Sequence, residues 1–295
     1  MTVREQGFLL LTSFLGDPGR KPLTVPQFRK LATMVAAMEK PTSERDLTVE
    51  DLQSIGCDTA FARRVVDLLA QEELLHWYLK SGSHVSCYPL TRLGEEYPDR
   101  LRKTLGLDAP GTLWTKGDRS LLRTPTISVV GSRELNPENA AFAAEVGRQA
   151  ALQGYTLVSG NARGADRTAQ DSCLENGGKV ISIVADELSK HPTRENVLYL
   201  SEEGFDLPFT AQRALSRNRI IHSFSHKTFV AQCSLGKGGT WSGTADNFRK
   251  GWSQVLCYDD GSDASRELVC MGAVCVDVGM LKNIAKILPE TDSFL

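Results

Sequence analysis

From about residue 120 onward, short apolar segments alternate with segments of helical periodicity, and this alternation limits the fold more than any other feature of the sequence. Strands that are separated by helices cannot pair as hairpins, so they pair in parallel through crossover connections. The sequence therefore predicts an α/β fold with a doubly wound, mostly parallel sheet. The strands are expected at residues 127–130, 155–159, 179–184, 228–232 and 254–257, with helices beginning at Pro137 and spanning about 165–176.

The sequence before this region does not show the alternation of strands and helices. Residues 1–87 predict a small all-helical domain, in which Thr24 caps a helix that has Pro26 in its first turn. Residues 47–70 predict two short helices around Gly56, like a helix-hairpin module that holds a nucleic-acid backbone. A plain helical bundle is the alternative, and a single glycine turn is a weak signal against it. The proline-punctuated residues 88–119 are expected to connect this domain to an α/β domain of residues 120–295.

Composition and charge exclude several classes of protein. The formal net charge is −2, so a site for a polyanion must be a local cluster of Arg and Lys. The seven cysteines show neither a pairing pattern nor metal-ligand spacing, which indicates reduced thiols and no metal site. No apolar run approaches the roughly 20 residues that span a bilayer, and the N-terminus lacks a signal-peptide pattern. A cytoplasmic protein without membrane association is expected.

Three glycine-rich loops follow predicted strands, and each also contains a hydroxyl side chain and a cation. Ligands of doubly wound sheets bind at the carboxyl ends of the strands, where glycine lets the backbone approach an anion and the next helix offers free N–H groups. Three loops of the same chemistry at one sheet edge predict a phosphate site. Its predicted residues are Gly131, Ser132 and Arg133 in the first loop, Ser159, Gly160, Arg163 and Gly164 in the second, and Lys237, Gly238, Gly239 and Thr240 in the third.

A basic helix is expected to extend this site. Arg213, Arg217 and Arg219 lie within seven residues, Ile220 and Ile221 supply an apolar face, and the stretch contains no acidic partner. A solvated helix face is the alternative for such a run of charge. Arg217, Asn218 and Arg219 are accordingly predicted as nucleic-acid contacts.

Other ligand and reaction classes lack their motifs. The first loop lacks Gly-x-Gly-x-x-Gly, and no loop has Gly-x4-Gly-Lys-Ser/Thr, so NAD and a P-loop nucleotide are disfavoured and no cofactor is expected. No Ser–His–Asp arrangement is evident, and the five histidines lie away from the loops in sequence. The sequence therefore predicts no catalytic residues.

Several segments carry a resemblance to a known family. In order, they are YPDRLRKTL, GTLWTKGD, ISVVGSR, LVSGNARGAD and SRNRII. Over about residues 88–260 they resemble the DNA-processing protein A (DprA/Smf) family of the wider Smf/LOG superfamily. The resemblance implies a Rossmann-like fold, a homodimer, single-stranded DNA held by its phosphates in the Gly/Arg loops, and delivery of that strand to a RecA-type recombinase.

The sequence departs from the family pattern in three places. Ala214-Leu215 stands where the family has Phe-Pro, so a stacking aromatic is missing unless Phe209 replaces it. The third loop is one residue longer than the family's, with Trp241 as a further stacking candidate or, equally, a packing residue. We also expect no family-type winged helix at the carboxyl end. These departures predict a divergent member of the family.

Asp166 and the competing functions require separate interpretation. A carboxylate repels phosphate, so Asp166 is expected to cap its helix or to orient Arg163. The leading hypothesis is a non-enzymatic binder of single-stranded DNA in recombination or DNA processing. The alternative is a nucleotide sensor or a LOG-like nucleotide N-glycosidic hydrolase. The LOG pattern has a glutamate after Pro-Gly-Gly-x-Gly-Thr, whereas the first acid after Thr240 is Asp246, which disfavours hydrolysis.

Overall fold

A computed structural model describes residues 1–38 and 47–287, and the parts of the predicted domains that fall on 39–46 and 288–295 lie outside the described residues. By packing, the chain divides into two compact units. The first comprises Met1–Tyr97, Pro110–Thr115 and Ser201–Leu207, and the second comprises Pro98–Ala109, Lys116–Leu200 and Pro208–Leu295. The domain boundaries at 87 and 119 stay a prediction.

The first unit is built mainly from helices. They are α1 (Val3–Thr12), α2 (Val25–Ala36), α3 (Val49–Ser54), α4 (Thr59–Leu69) and α5 (Glu72–His84). The first four start with a capping side chain; in α2 the Thr24 hydroxyl accepts a hydrogen bond from Gln27 N, with Pro26 in the first turn as predicted. Helices α3 and α4 lie on either side of Gly56, which has a positive φ. Their role in nucleic-acid binding stays a prediction.

An aromatic cluster forms the centre of this unit. Trp114, Tyr78 and Phe205 pack with ring centroids 4.8–5.2 Å apart. The Tyr78 hydroxyl donates a hydrogen bond of 2.7 Å to Asp206, so its polar end is satisfied although the ring is buried. Strand β1 (Tyr88–Thr91) pairs antiparallel with the start of β2 (Thr112–Gly117) beside this cluster. The predicted connector, residues 88–119, therefore contains regular structure; Pro89 lies within β1, which is an edge strand and so tolerates a proline.

The second unit alternates strands and helices. Its strands are β3 (Thr126–Val130), β4 (Thr156–Ser159), β5 (Lys179–Val184), β6 (Val197–Glu202, whose last residues belong to the first unit), β7 (Lys227–Val230), β8 (Gln254–Tyr258) and β9 (Val274–Val276). Its helices are α6 (Asp99–Leu105), α7 (Pro137–Leu152), α8 (Ala165–Glu175), α9 (Ala211–Phe224), α10 (Gly238–Lys250) and α11 (Asp263–Cys270).

The strands of this unit lie in the order β6-β5-β4-β3-β7-β8-β9. The pairs β5 with β4, β4 with β3, β3 with β7, β7 with β8 and β8 with β9 are parallel. The order reverses direction at β3, so β4 and β7 flank it and the loops after all three strands lie together. The predicted doubly wound, mostly parallel α/β fold is confirmed.

The sequence analysis missed β6 and β9, and it predicted one helix start only in part. Helix α7 begins at Pro137 as expected, but the Asn136 side chain makes no capping hydrogen bond. Its backbone N–H donates instead to the Gln232 side chain at 2.9 Å. Among the described residues, no helix is both long and apolar enough to cross a membrane.

Candidate functional site

The three predicted loops meet in one pocket of about 740 Å³ at the carboxyl ends of β3, β4 and β7. This convergence follows from the strand order, because β4 and β7 are the neighbours of β3. The predicted residues that line the pocket are Gly131, Ser132, Arg133, Asp166, Phe209, Arg217, Asn218, Lys237, Gly238, Gly239 and Thr240. A smaller adjoining pocket of about 340 Å³ adds Gly160 and Arg163 and shares Arg133, Phe209 and Arg217.

The first and second loops touch through their backbones at Gly164. The N–H of Ala165 donates to Ser132 O at 3.1 Å. Gly164 has a φ of +84°, and a Cβ there would lie 2.6 Å from the carbonyl carbon and oxygen of Arg133. Only glycine fits this approach, because a side chain would meet backbone that cannot move aside. Gly164 therefore joins the two loops and does not itself line the pocket.

Two buried charged side chains hold the second loop from beneath. Asp166 Oδ2 accepts hydrogen bonds from Gly160 N at 3.1 Å and Ala162 N at 3.2 Å. Arg217 Nη1 donates to Gly160 O and, at 2.5 Å, to Ile183 O. Asp166 is only 6% exposed and Arg217 only 9%. Burial raises the pKa of Asp166, and the nearby guanidinium of Arg217 opposes that rise.

These contacts change the roles that the sequence suggested for the second loop. Two of its N–H groups bind Asp166, so they are not available to a phosphate. Asp166 holds the loop that precedes its helix, and it neither caps that helix nor orients Arg163. Arg217 lies in the floor of the pocket as a structural cation, whereas the sequence suggested an exposed edge. The second loop thus shapes the site more than it contacts a ligand.

The first and third loops supply the accessible positive charge. Arg133 and Lys237 are exposed and line the same pocket. Lys237 immediately precedes α10, whose first turn has no side-chain cap. The first N–H groups of an α-helix lack intrahelical partners and attract anions. Asn218 donates to Gly239 O at 3.0 Å and so fixes this helix start against α9.

Arg163 is placed at the rim. Its guanidinium forms an ion pair of 3.0 Å with Glu134, and both side chains are largely exposed. An exposed pair of this kind contributes about 1 kcal/mol or less to stability. This weak pair leaves the Arg163 guanidinium accessible at the rim.

Besides Gly164, three predicted site residues lie outside both pocket linings. Ser159 is fully buried, and its hydroxyl accepts a hydrogen bond of 2.5 Å from Gln170. Arg219 donates to Asp108 O at 3.3 Å and to Ser216, because it lies about half a turn from Arg217 on α9. Trp241 is half-buried on α10 and contributes no atom to either lining.

The structure adds pocket residues that sequence reasoning missed. Leu215, Ile221 and His222 of α9 line the pocket beside Phe209, which is 53% exposed. His222 lies away from the glycine loops in sequence but four residues after Asn218, so both side chains share one helix face. This four-residue spacing in the sequence could have indicated that His222 belongs to the site. The pocket therefore has an apolar wall in addition to its cationic rim.

Fold and site together define a Rossmann-like protein with a cation-lined pocket at the switch point of its sheet. Residues 89–285 match the family model of DNA recombination-mediator protein A, and the chain belongs to this family. The match covers most of the second unit and the end of the first, so it includes every loop of the pocket.

Individual relatives agree with this assignment. The chain is 28% identical to Protein Smf of Escherichia coli (strain K12) over 200 residues, which are 63% of this chain and 52% of the relative. It is 32% identical to DNA processing protein DprA of Streptococcus pneumoniae (strain ATCC BAA-255 / R6) over 145 residues, 44% of this chain and 50% of the relative. The chain thus spans about half the length of these relatives.

Two solved structures share the fold. DNA processing protein A from Streptococcus pneumoniae superimposes with a TM-score of 0.70 at 25% identity, covering 94% of this chain and 95% of that one. DNA processing protein A from Helicobacter pylori, described for its single-stranded DNA binding mode, gives a TM-score of 0.57 at 25% identity and covers 68% of this chain and 96% of that one.

Proposed function

We propose that this protein binds single-stranded DNA by holding backbone phosphates in the pocket at the carboxyl ends of β3, β4 and β7. The observation that carries the proposal is the convergence of Arg133, Lys237 and the uncapped start of α10 on one pocket. Cations and free N–H groups bind a phosphate in any sequence, as binding along a single strand requires. The single-stranded DNA binding described for the Helicobacter pylori relative supports this ligand.

The predicted site residues divide into two groups under this proposal. Ser132, Arg133, Lys237, Gly238, Gly239 and Thr240 contact phosphate, with Arg163 at the rim. Gly160, Gly164, Asp166 and Arg217 shape the loops, and Ser159 belongs to the interior. Arg219 contributes to DNA binding only through the long-range attraction of its charge.

The arrangement of acids favours binding over hydrolysis. Asp166 is buried beneath the second loop and already accepts two backbone hydrogen bonds, so it is not placed to move a proton on a ligand. Asp246 forms an ion pair with Arg249 and contributes nothing to either pocket lining. Asp166 and Asp246 therefore do not form the pair across the site that hydrolysis would use, and Asp186, which lines the smaller pocket, pairs with His191. A non-enzymatic role is part of the proposal.

The wider role follows from the family. A recombination mediator holds a single strand for a RecA-type recombinase, and we extend this role to the present protein as a homodimer in the cytoplasm. The strand bound in the pocket would then be the substrate that the recombinase receives.

Fluorescence anisotropy with a labelled oligo-dT strand at several salt concentrations tests the proposal. We expect Arg133→Ala and Lys237→Ala each to weaken binding to all sequences alike. Each should also reduce the slope of log K against log salt by about 0.7, the value for one phosphate contact on a single strand. Lys179→Ala is the matched control, because Lys179 is an exposed lysine at the amino end of β5, opposite the carboxyl ends of the strands that form the pocket.

Duplex DNA and a nucleoside monophosphate serve as competitors in the same titration. We expect the unlabelled single strand to compete more strongly than duplex DNA or the monophosphate. If the salt slope is unchanged in both Arg133→Ala and Lys237→Ala, these two residues do not contact the strand. Stronger competition by the monophosphate, or its turnover, would replace the proposal with the nucleotide-binding alternative.

A further inference from the structure

The pocket is larger and less polar than a phosphate requires. Its volume of about 740 Å³ is in the range of sites that enclose whole small organic molecules. Cations and helix N–H groups lie at the rim, whereas Leu215, Ile221 and Phe209 form an apolar wall. A phosphate bound by the cations would leave this apolar part of the pocket for the group that is attached to it.

A polar side chain without a partner lies at the bottom of this apolar part. His222 lines the pocket and is 1% exposed. Within the described chain, neither of its ring nitrogens has a hydrogen-bond partner. Buried polar atoms are nearly always paired, and each unpaired one costs about 1–3 kcal/mol. An unsatisfied imidazole in a ligand pocket is therefore best explained by a hydrogen bond that the ligand supplies.

The position of His222 is fixed by the contact of two helices. It follows Asn218 by one turn of α9, and Asn218 holds the start of α10 through Gly239 O. Across the contact, a Cβ at Gly243 would lie 3.4 Å from His222 Nε2 and 3.0 Å from Asn218 Cβ. The absent side chain at Gly243 leaves room for the imidazole between the two helices.

The imidazole is suited to a neutral ligand group and not to phosphate. Burial lowers the pKa of His222 to about 3, so the ring is uncharged at neutral pH. A neutral imidazole has one donor and one acceptor nitrogen. Phosphate accepts only, whereas the edge of a nucleobase presents donors and acceptors side by side.

We infer that the pocket takes one nucleobase of the bound strand, with its face against the apolar wall of Phe209 and Leu215 and its edge hydrogen-bonded to His222. The inference rests on the proposed function, since it assigns the inner pocket to the nucleotide whose phosphate occupies the rim. Each part of a nucleotide then meets matching chemistry: charge at the rim, apolar surface along the wall and a hydrogen-bonding group at the floor. His222 then makes a hydrogen bond that a base can form and an abasic sugar–phosphate backbone cannot.

Paired oligonucleotides test the inference. One strand is oligo-dT, and the other has the same length and phosphate number but carries abasic residues. We expect the protein to bind oligo-dT about 10-fold more tightly than the abasic strand, with equal salt slopes. His222→Phe, which keeps an apolar ring in the floor, should weaken oligo-dT binding by about 3- to 10-fold, the range of one neutral hydrogen bond. It should leave abasic binding unchanged.

Two further variants keep the test decisive if the phenylalanine variant folds poorly. His222→Gln retains a donor and an acceptor, and we expect it to recover part of the preference for oligo-dT. Ser223→Ala is the matched control, because Ser223 is equally buried on the same helix, has an unpaired hydroxyl and does not line the pocket. Its binding to both strands should equal that of the unaltered protein.

The failures of the two proposals are distinguishable. Equal binding of oligo-dT and the abasic strand, or an equal loss on both strands in His222→Phe, would overturn the base pocket while phosphate binding stands. If neither oligo-dT nor the abasic strand binds with an affinity that depends on salt, the proposed function itself is overturned.

Discussion

Asp166 and Arg217 hold Gly160 by its two opposite backbone groups. The carboxylate accepts the Gly160 N–H at 3.1 Å, and the guanidinium donates to the Gly160 carbonyl oxygen. A Cβ at Gly160 would overlap the guanidinium, so this arrangement requires glycine. The second loop is thus positioned by two buried charges before any ligand arrives, and a preformed loop lowers the entropy cost of binding.

Asp166→Asn and Asp166→Ala should differ sharply. The asparagine oxygen can still accept from Gly160 and Ala162, so we expect strand binding to stay within about threefold of normal. Both variants remove the charge beside the buried Arg217, but only alanine also removes the acceptor of the two backbone hydrogen bonds, which costs about 1–3 kcal/mol for each buried group left unsatisfied. Denaturant unfolding measures stability, and anisotropy with oligo-dT measures binding. Equal loss in both variants would show that the charge of Asp166, and not its hydrogen bonds, supports the site.

Gly164→Ala should separate the first two loops. A methyl group there meets the backbone of Ser132 and Arg133 and also strains a positive φ. Gly154→Ala is the matched control, because Gly154 also has a positive φ, of +75°, but a Cβ there meets no atom within 4 Å. We expect the control to cost about 1–2 kcal/mol of stability with normal DNA binding.

In the same titrations, Gly164→Ala should bind oligo-dT at least 10-fold more weakly than the Gly154→Ala control. Similar binding by the two variants would mean that the contact between the loops does not position Arg133.

The sequence predicted the sheet and the convergence of the loops because both depend on local patterns. Apolar strands followed by Gly-x-Arg or Gly-Lys turns are visible within a few residues, and parallel pairing then places their ends together. Strands β6 and β9 were missed, and β9 lies at the edge of the sheet. Strand β9 is three residues long and partly exposed, and it lacks the apolar run that identifies the central strands.

The roles of individual charges were harder to predict because they depend on burial. Arg217 and Arg219 are alike in sequence, yet Arg217 lies under the pocket and Arg219 lies toward Asp108. Asp166 was expected to cap a helix, but its oxygen reaches back to a loop. Such differences arise from packing between α8, α9 and the second loop, which no single segment encodes.

The burial of His222 should make stability depend on pH. Its folded-state pKa of about 3 is below the ordinary value of 6.5, so below pH 6.5 the unfolded chain takes up a proton that the folded protein does not. The neutral, buried His222 therefore does not lower the free energy of unfolding above pH 6.5. As the pH falls from 6.5 toward 3, the free energy of unfolding decreases by about 1.4 kcal/mol per pH unit. Between pH 7 and pH 5 the unaltered protein should lose about 2 kcal/mol that His222→Phe does not lose.

Urea unfolding followed by circular dichroism at both pH values measures this difference. Ser223→Ala is the control, since Ser223 is buried next to His222 on α9 and has no titratable group. A parallel loss in the unaltered protein and in His222→Phe would show that other groups cause the acid sensitivity.

Of the two aromatic residues proposed for stacking, Phe209 should dominate. Phe209 lines both pockets with half of its surface exposed, so its ring is accessible to a base, whereas Trp241 is half-buried on α10 outside both linings. Base–aromatic stacking contributes about 1–3 kcal/mol per base. We therefore expect Phe209→Ala to weaken oligo-dT binding by about 10-fold, Phe209→Tyr to bind normally, and Trp241→Ala to change binding by less than about twofold. A larger loss in Trp241→Ala than in Phe209→Ala would place the strand along α10, away from the pocket.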